Sequence, residues 1–211
     1  MLDHAAQRLI SPALNRIAQG LVRVGVGANA VTLAGFALGL CAAGLIATGH
    51  SGWGLALLLA SRLADGLDGA VARLTEPTDR GAFLDVALDF MFYASIPLAF
   101  ALADPAANAL AAALLLTSFV GTGSSFLAFA VMAERRGIRN LALPDKGFYY
   151  LGGLTEATET LLCFSAMCLW PTAFAPLAYG FALLCGLTWL ARLRAGWQAL
   201  APRGGLPGDA E

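Results

Sequence analysis

Residues 65–89 read DGLDGAVARLTEPTDRGAFLDVALD and place four aspartates, Asp65, Asp68, Asp85 and Asp89, inside or beside segments that otherwise have the apolarity of membrane spans. Asp65 and Asp68 are three residues apart and Asp85 and Asp89 four apart, so each pair shares one face of a helix. The link TEPTDR is short and contains Pro77, which predicts an antiparallel helical hairpin. Asp68 and Asp65 lie 9 and 12 residues before Pro77, and Asp85 and Asp89 lie 8 and 12 after it. Antiparallel helices therefore bring both pairs to one depth, on the order of 12–18 Å from the turn.

The rest of the chain supplies a membrane. Of its 211 residues 58% are hydrophobic and only 13% charged, about half the charged fraction of a soluble domain. A net charge of −1 gives no basic surface for a nucleic-acid partner. Cys41, Cys163, Cys168 and Cys185 all sit in apolar runs without a CxxC pair, as buried structural thiols do, which argues against zinc or a disulfide framework. The N-terminus lacks a compact apolar core followed by a small-residue cleavage site, so it does not read as a secretory signal.

Spans of about 20 apolar residues are expected at roughly 28–48, 53–75, 81–103, 107–133, 150–170 and 173–194, which makes the fold class all-α and polytopic with six transmembrane helices. Before them, Leu2, Leu9, Ile10, Leu14, Ile17, Leu21 and Val22 recur near helical spacing among Arg8, Arg16 and Gln19, predicting an amphipathic helix in the membrane interface over residues 1–26. Residues 1–201 then form one transmembrane domain, and 202–211 a flexible tail. All 13 Lys and Arg fall at the N-terminus, at the end of span 2 with its following loop, in the loop after span 4 and at the C-terminus. With six spans these lie on one side, which the positive-inside rule makes cytoplasmic, and both termini lie there too.

Gathered in low dielectric, the carboxylates repel one another, and each costs about 2.5–3.5 kcal/mol to insert. Arg62 and Arg73 are nearby but do not balance four charges. A divalent cation does, and all-carboxylate oxygen donors suit Mg²⁺ or Mn²⁺ rather than zinc or copper. One ion fits, and so does a pair clamping a phosphate. Gly69 and Ala72 on the face of Asp65, and Gly81 on the face of Asp85, leave room for a ligand beside the acids. Arg73, near the membrane end of its span, is placed to pair with a phosphate.

The spacing D-x2-D-G-x2-A-R-x7-G-x3-D-x3-D, carried by Asp65, Asp68, Gly69, Ala72, Arg73, Gly81, Asp85 and Asp89, resembles the signature of the CDP-alcohol phosphotransferases. The segment ANAVT, residues 28–32, is similar to that family's P-N-x-x-T, with Ala28 in place of the proline. The resemblance implies a CDP-linked lipid donor, usually CDP-diacylglycerol, with its diphosphate on the metal, transfer of the phospho-lipid group to an alcohol acceptor, and release of CMP. It implies that Asp65, Asp68 and Asp85 are core metal ligands and that Asp89 is a further ligand and the general base. Asn29, Thr32, Gly69, Ala72, Arg73, Thr78 and Gly81 would contact the nucleotide and its phosphates. It also implies phospholipid biosynthesis at a bacterial inner membrane.

The acceptor is less defined. Arg135, Arg136, Arg139 and Lys146 would suit an acceptor phosphate, whereas Glu156 and Glu159, three apart near the start of span 5, would suit hydroxyls or an amine. The same fold also accommodates a soluble CDP-alcohol donor with a lipid alcohol acceptor. Intramembrane acids mark cation transporters as well, but those carry mid-membrane sites, broken helices or internal repeats, and no repeat is visible here. Small-residue faces such as GFALGLCAAG permit a homodimer.

Overall fold

The computed structural model describes residues 2–137 and 155–201, and all of their regular structure is helical. In chain order the helices are α1 (Leu2–Arg23), α2 (Ala28–Ala47), α3 (Ser51–Leu74), α4 (Asp79–Ala103), α5 (Pro105–Arg135), α6 (Ala157–Leu169) and α7 (Phe174–Ala199). A single 3₁₀ turn, Pro171–Ala173, leads into α7. The expected tail 202–211, Arg139, Lys146 and the first residues of the expected span 150–170 lie outside the described residues.

Four of these segments are long and apolar enough to cross a membrane: α2, α4, α5 and Pro171–Ala199. The other two expected spans fall short of that measure for different reasons. α3 has the length, 24 residues, but carries Arg62, Asp65, Asp68 and Arg73 from its middle onward. The described part of α6 has 13 residues, below the roughly 20 that a span requires.

Helix ends follow local chemistry. α2 closes on Gly49, whose φ of +84° only glycine adopts without strain. The Gly49 N–H donates to the Ile46 carbonyl at 3.0 Å and the His50 N–H to the Leu45 carbonyl at 2.8 Å, a Schellman closure. Thr78 caps α4, its hydroxyl accepting the Gly81 N–H at 3.1 Å. Asp104 does the same for α5 by accepting from the Ala107 N–H, with Pro105 in the first turn.

The packing departs from the simple hairpin expected of α3 and α4. Each packs closely on α2, while their own backbones share almost no close approach. The small residues of α2 explain this. A Cβ on Gly35 would lie 3.0 Å from the Ala64 Cβ of α3, and one on Gly39 would lie 2.5 Å from the Phe92 ring of α4. Glycine lets both neighbours close onto α2, which holds α3 and α4 apart as the floor of a cleft.

Away from the cleft the core is aromatic. Phe92, Phe100, Phe164 and Phe174 are fully or almost fully buried, and the rings of Phe100 and Phe174 stack with centroids 4.6 Å apart, joining α4 to α7. A smaller cluster of Ala18, Val31, Ala70 and Val71 ties α1 to α2 and α3. The expected N-terminal helix is thus present and docks on the helix that bears Asp65 and Asp68.

Gly39→Ala is expected to destabilise the protein by about 1–3 kcal/mol, because the added methyl overpacks against Phe92. Gly44→Ala, on the same helix with nothing within 4 Å, is expected to be neutral or slightly stabilising. Thermal unfolding in detergent compares them, and equal midpoints would contradict the packing described. Thr78→Ala is expected to cost about 1 kcal/mol by removing a cap, and Thr78→Asn to recover most of it. An unchanged midpoint for Thr78→Ala would show that the cap contributes nothing.

A candidate metal centre between two helices

The cleft is lined by Thr32, Gly35 and Phe36 from α2, Ser61, Arg62 and Asp65 from α3, and Asp85, Leu88 and Asp89 from α4, and is partly open to solvent. One carboxylate oxygen from each of Asp65, Asp85 and Asp89 lies within 4.8 Å of the other two. The depth match counted from Pro77 therefore brings acids from both helices together. The gap between α3 and α4 is the space into which they point.

Asp68 stands apart from those three. It is buried, with the Thr32 hydroxyl beside it, and its Oδ2 has no hydrogen-bond partner among the described residues. A buried carboxylate oxygen without a donor carries a desolvation cost that a cation would relieve. Four carboxylates, all-oxygen donors and one orphaned buried oxygen fit a hard divalent ion of the Mg²⁺ or Mn²⁺ type.

Arg62 is the residue whose place in the site was not legible as a role. Its Nη1 donates to Asp65 Oδ1 at 3.2 Å on its own helix and to Asp89 Oδ1 at 2.7 Å on the facing helix. The guanidinium lies over the Phe92 ring, 3.7 Å from its centroid, and a second nitrogen reaches Ser61 Oγ at 3.4 Å. Ser61 is fixed in turn by donating to the Gly35 carbonyl at 2.7 Å. The three-residue spacing to Asp65 is visible in the sequence, but the clasp on Asp89 and the aromatic shelf come from α4.

Of the residues expected to contact a donor, Thr32 lines this cleft, and the others have local contacts of their own. Asn29 stands in the first turn of α2, its side-chain oxygen 3.0 Å from where a Cβ on Gly81 would be. The Thr32 hydroxyl donates to the Ala28 carbonyl at 3.0 Å. Arg73 is exposed and lies over Gly69, its Nη1 3.4 Å from the position of a Cβ there. Ala72 is half-buried on α3. Thr78 accepts from Gly81 as a cap, which leaves its own O–H free to donate.

The residues considered for an acceptor are distributed differently. Glu156 and Glu159 form a reciprocal capping box at the start of α6, the Glu156 N–H donating to Glu159 Oε2 at 3.1 Å. Arg136 donates to the Ala201 carbonyl at 3.1 Å, joining the end of α5 to the end of α7, and Arg135 is exposed in the last turn of α5. None of these four lines the aspartate cleft.

Comparison with known proteins agrees with this site. The family model described as CDP-alcohol phosphatidyltransferase matches residues 26–192, most of the chain and all four aspartates. The inner membrane protein YnjF of Escherichia coli (strain K12) is 48% identical over 200 residues, covering 95% of this chain and 97% of that protein. An archaetidylinositol phosphate synthase of Methanothermobacter thermautotrophicus is 43% identical over 84 residues, 39% of this chain and 40% of that one. Phosphatidylinositol phosphate synthase (PgsA1) of Mycobacterium tuberculosis has the same fold. Its structure with manganese and citrate superposes with a TM-score of 0.70 at 24% identity, covering 94% of this chain and 96% of that one. Its structure with CDP-DAG bound gives 0.66 at 23% identity, covering 92% and 98%. The chain is a multi-pass membrane protein and belongs to the CDP-alcohol phosphatidyltransferase family of enzymes.

Proposed function

We propose that this chain transfers a phosphatidyl group from CDP-diacylglycerol to an alcohol acceptor and releases CMP, with a divalent cation at the aspartate cluster and its active site facing the cytoplasm. The observation that carries this reading is the meeting of Asp65, Asp85 and Asp89 beside the unpartnered Asp68 oxygen, in a cleft within the family-matched segment. The PgsA1 structure with CDP-DAG bound makes a lipid-linked CDP donor the natural choice.

Asp65, Asp68 and Asp85 would hold the cation. When bound, it would neutralise charge on the diphosphate oxygens and on the departing CMP. Asp89 would receive the acceptor's hydroxyl proton as the acceptor oxygen bonds to the lipid-side phosphorus and the bond from that phosphorus to the CMP oxygen breaks. Arg62 already engages Asp89 through Oδ1 and so sets the direction in which the carboxylate faces the cleft. Gly69 and Gly81 keep the walls low near the acids, and Arg73, exposed over Gly69, supplies a guanidinium for a phosphate.

The purified full-length protein, given CDP-diacylglycerol, Mn²⁺ or Mg²⁺ and a panel of alcohols, is expected to release CMP only with the matching acceptor and to lose this activity with EDTA. Asp89→Asn is expected to lower kcat by about 10²–10⁴-fold, the range for removing a general base. Near-normal CMP release by that variant would remove Asp89 from the role. Absence of turnover with CDP-diacylglycerol, alongside turnover with a soluble CDP-alcohol and a lipid alcohol, would reverse donor and acceptor.

A further inference from the structure

α1 is held to the bundle by one side. Leu14 meets Gly66 of α3, where a Cβ would stand 3.1 Å from its Cδ1, and Ala18 is fully buried with Val31, Ala70 and Val71. Two other rows repeat every seven residues and stay on the outside of the protein. Ile10, Ile17 and Val24, the last just past the helix end, are 38, 53 and 74% exposed. Arg16 and Arg23 are exposed as well. At about 100° per residue, the apolar row stands roughly 100° to one side of Ala18 and the arginines roughly 150° round the other way. The helix therefore offers three sides to three different surroundings.

We propose that the outer side of α1 is a docking surface for anionic phospholipids, with their phosphates on Arg16 and Arg23 and their acyl region against Ile10, Ile17 and Val24. A helix lying in a bilayer surface requires this placement: its aliphatic side chains reach below the phosphates, and its cations stay level with them. A soluble acidic partner would satisfy the arginines and leave the apolar row in water, whereas a bilayer satisfies both. Charge selects anionic lipids over zwitterionic ones. Residues 10–27 contain both arginines and no aspartate or glutamate. Neither arginine has an ion pair among the described residues. A zwitterionic headgroup brings a cation of its own, which offsets the attraction that an anionic headgroup offers in full. The surface is separate from the aspartate cleft, whose lining includes no residue of α1.

The test is local labelling of the full-length protein in nanodiscs. These carry a trace of photoactivatable phosphatidylglycerol or of phosphatidylcholine with the same reactive group near the headgroup, and labelled peptides are mapped by mass spectrometry after irradiation. Over residues 10–24, labelling by phosphatidylglycerol is expected to exceed that by phosphatidylcholine about tenfold or more, since each arginine near an anionic surface contributes roughly fivefold. High salt is expected to reduce the ratio. Arg16→Gln/Arg23→Gln is expected to bring it close to one while labelling of other segments is unchanged, and Arg16→Lys/Arg23→Lys is expected to keep most of it. Equal labelling by the two lipids in the wild-type protein overturns the proposal, and so does an undiminished ratio in the glutamine variant. A segment labelled by neither lipid but crosslinked to another chain would assign this side of α1 to a second copy, which also overturns it. If the glutamine variant does not fold, the wild-type ratio and its loss in salt decide.

Discussion

Repulsion among four carboxylates in a poorly screened cleft is the constraint around which this structure is arranged. No single helix could hold them at tolerable cost, and the chain divides them between α3 and α4. The division only helps if the two helices stand apart while their acids still meet. α2 provides that separation. Its glycines admit Ala64 on one side and Phe92 on the other, so α3 and α4 close onto α2 rather than onto each other. The cleft is therefore a product of small residues on a helix that contributes none of the acids.

The cleft also has to be rigid, because a metal site tolerates little drift in its donors. Rigidity comes from the aromatic core below it and from helix ends fixed by local hydrogen bonds. Phe92 marks the boundary between the two regions: it packs with Ile96 and Phe164 in the core and turns its ring face to Arg62. The Thr78 cap sets where α4 starts, and thereby the position of Asp85 and Asp89 relative to Asp65. A one-residue change in that start would rotate both acids by about 100° away from the cleft.

Much of this was legible in the sequence because helical spacing and a proline-marked turn are one-dimensional signals. Similar distances of the two pairs from Pro77 predict that acids of the two helices meet, and Asp65, Asp85 and Asp89 do. What was not legible depends on which surfaces meet. The glycines of GFALGLCAAG look the same whether they face a second copy or another helix of the same chain, and here Gly39 faces Phe92. Arg62 is recognisable as a neighbour of Asp65 but not as the clasp on Asp89, since that contact belongs to α4. Glu156 and Glu159 show the reverse problem. Acids at the start of an apolar segment suggest a polar cavity, yet the same three-residue spacing satisfies the free N–H groups of a helix end, and they form a capping box. The identity of the acceptor was hidden for that reason: Glu156, Glu159 and Arg136 make other local contacts.

The position of Asp89 follows from a chain of contacts rather than from its own helix alone. Gly39 leaves space for Phe92, Phe92 supports the guanidinium of Arg62, and Arg62 holds Asp89 at 2.7 Å from a nitrogen on the neighbouring helix. Each link is a packing or charge contact with little slack, so a small change on α2 reaches a carboxylate on α4 without touching it. This makes Gly39 of α2 part of the site in an indirect sense. It also explains why an arginine, costly inside a membrane, is kept at this depth. It offsets charge that the fold has concentrated, and its planar fork, stacked on a ring, fixes the direction of the acid it holds.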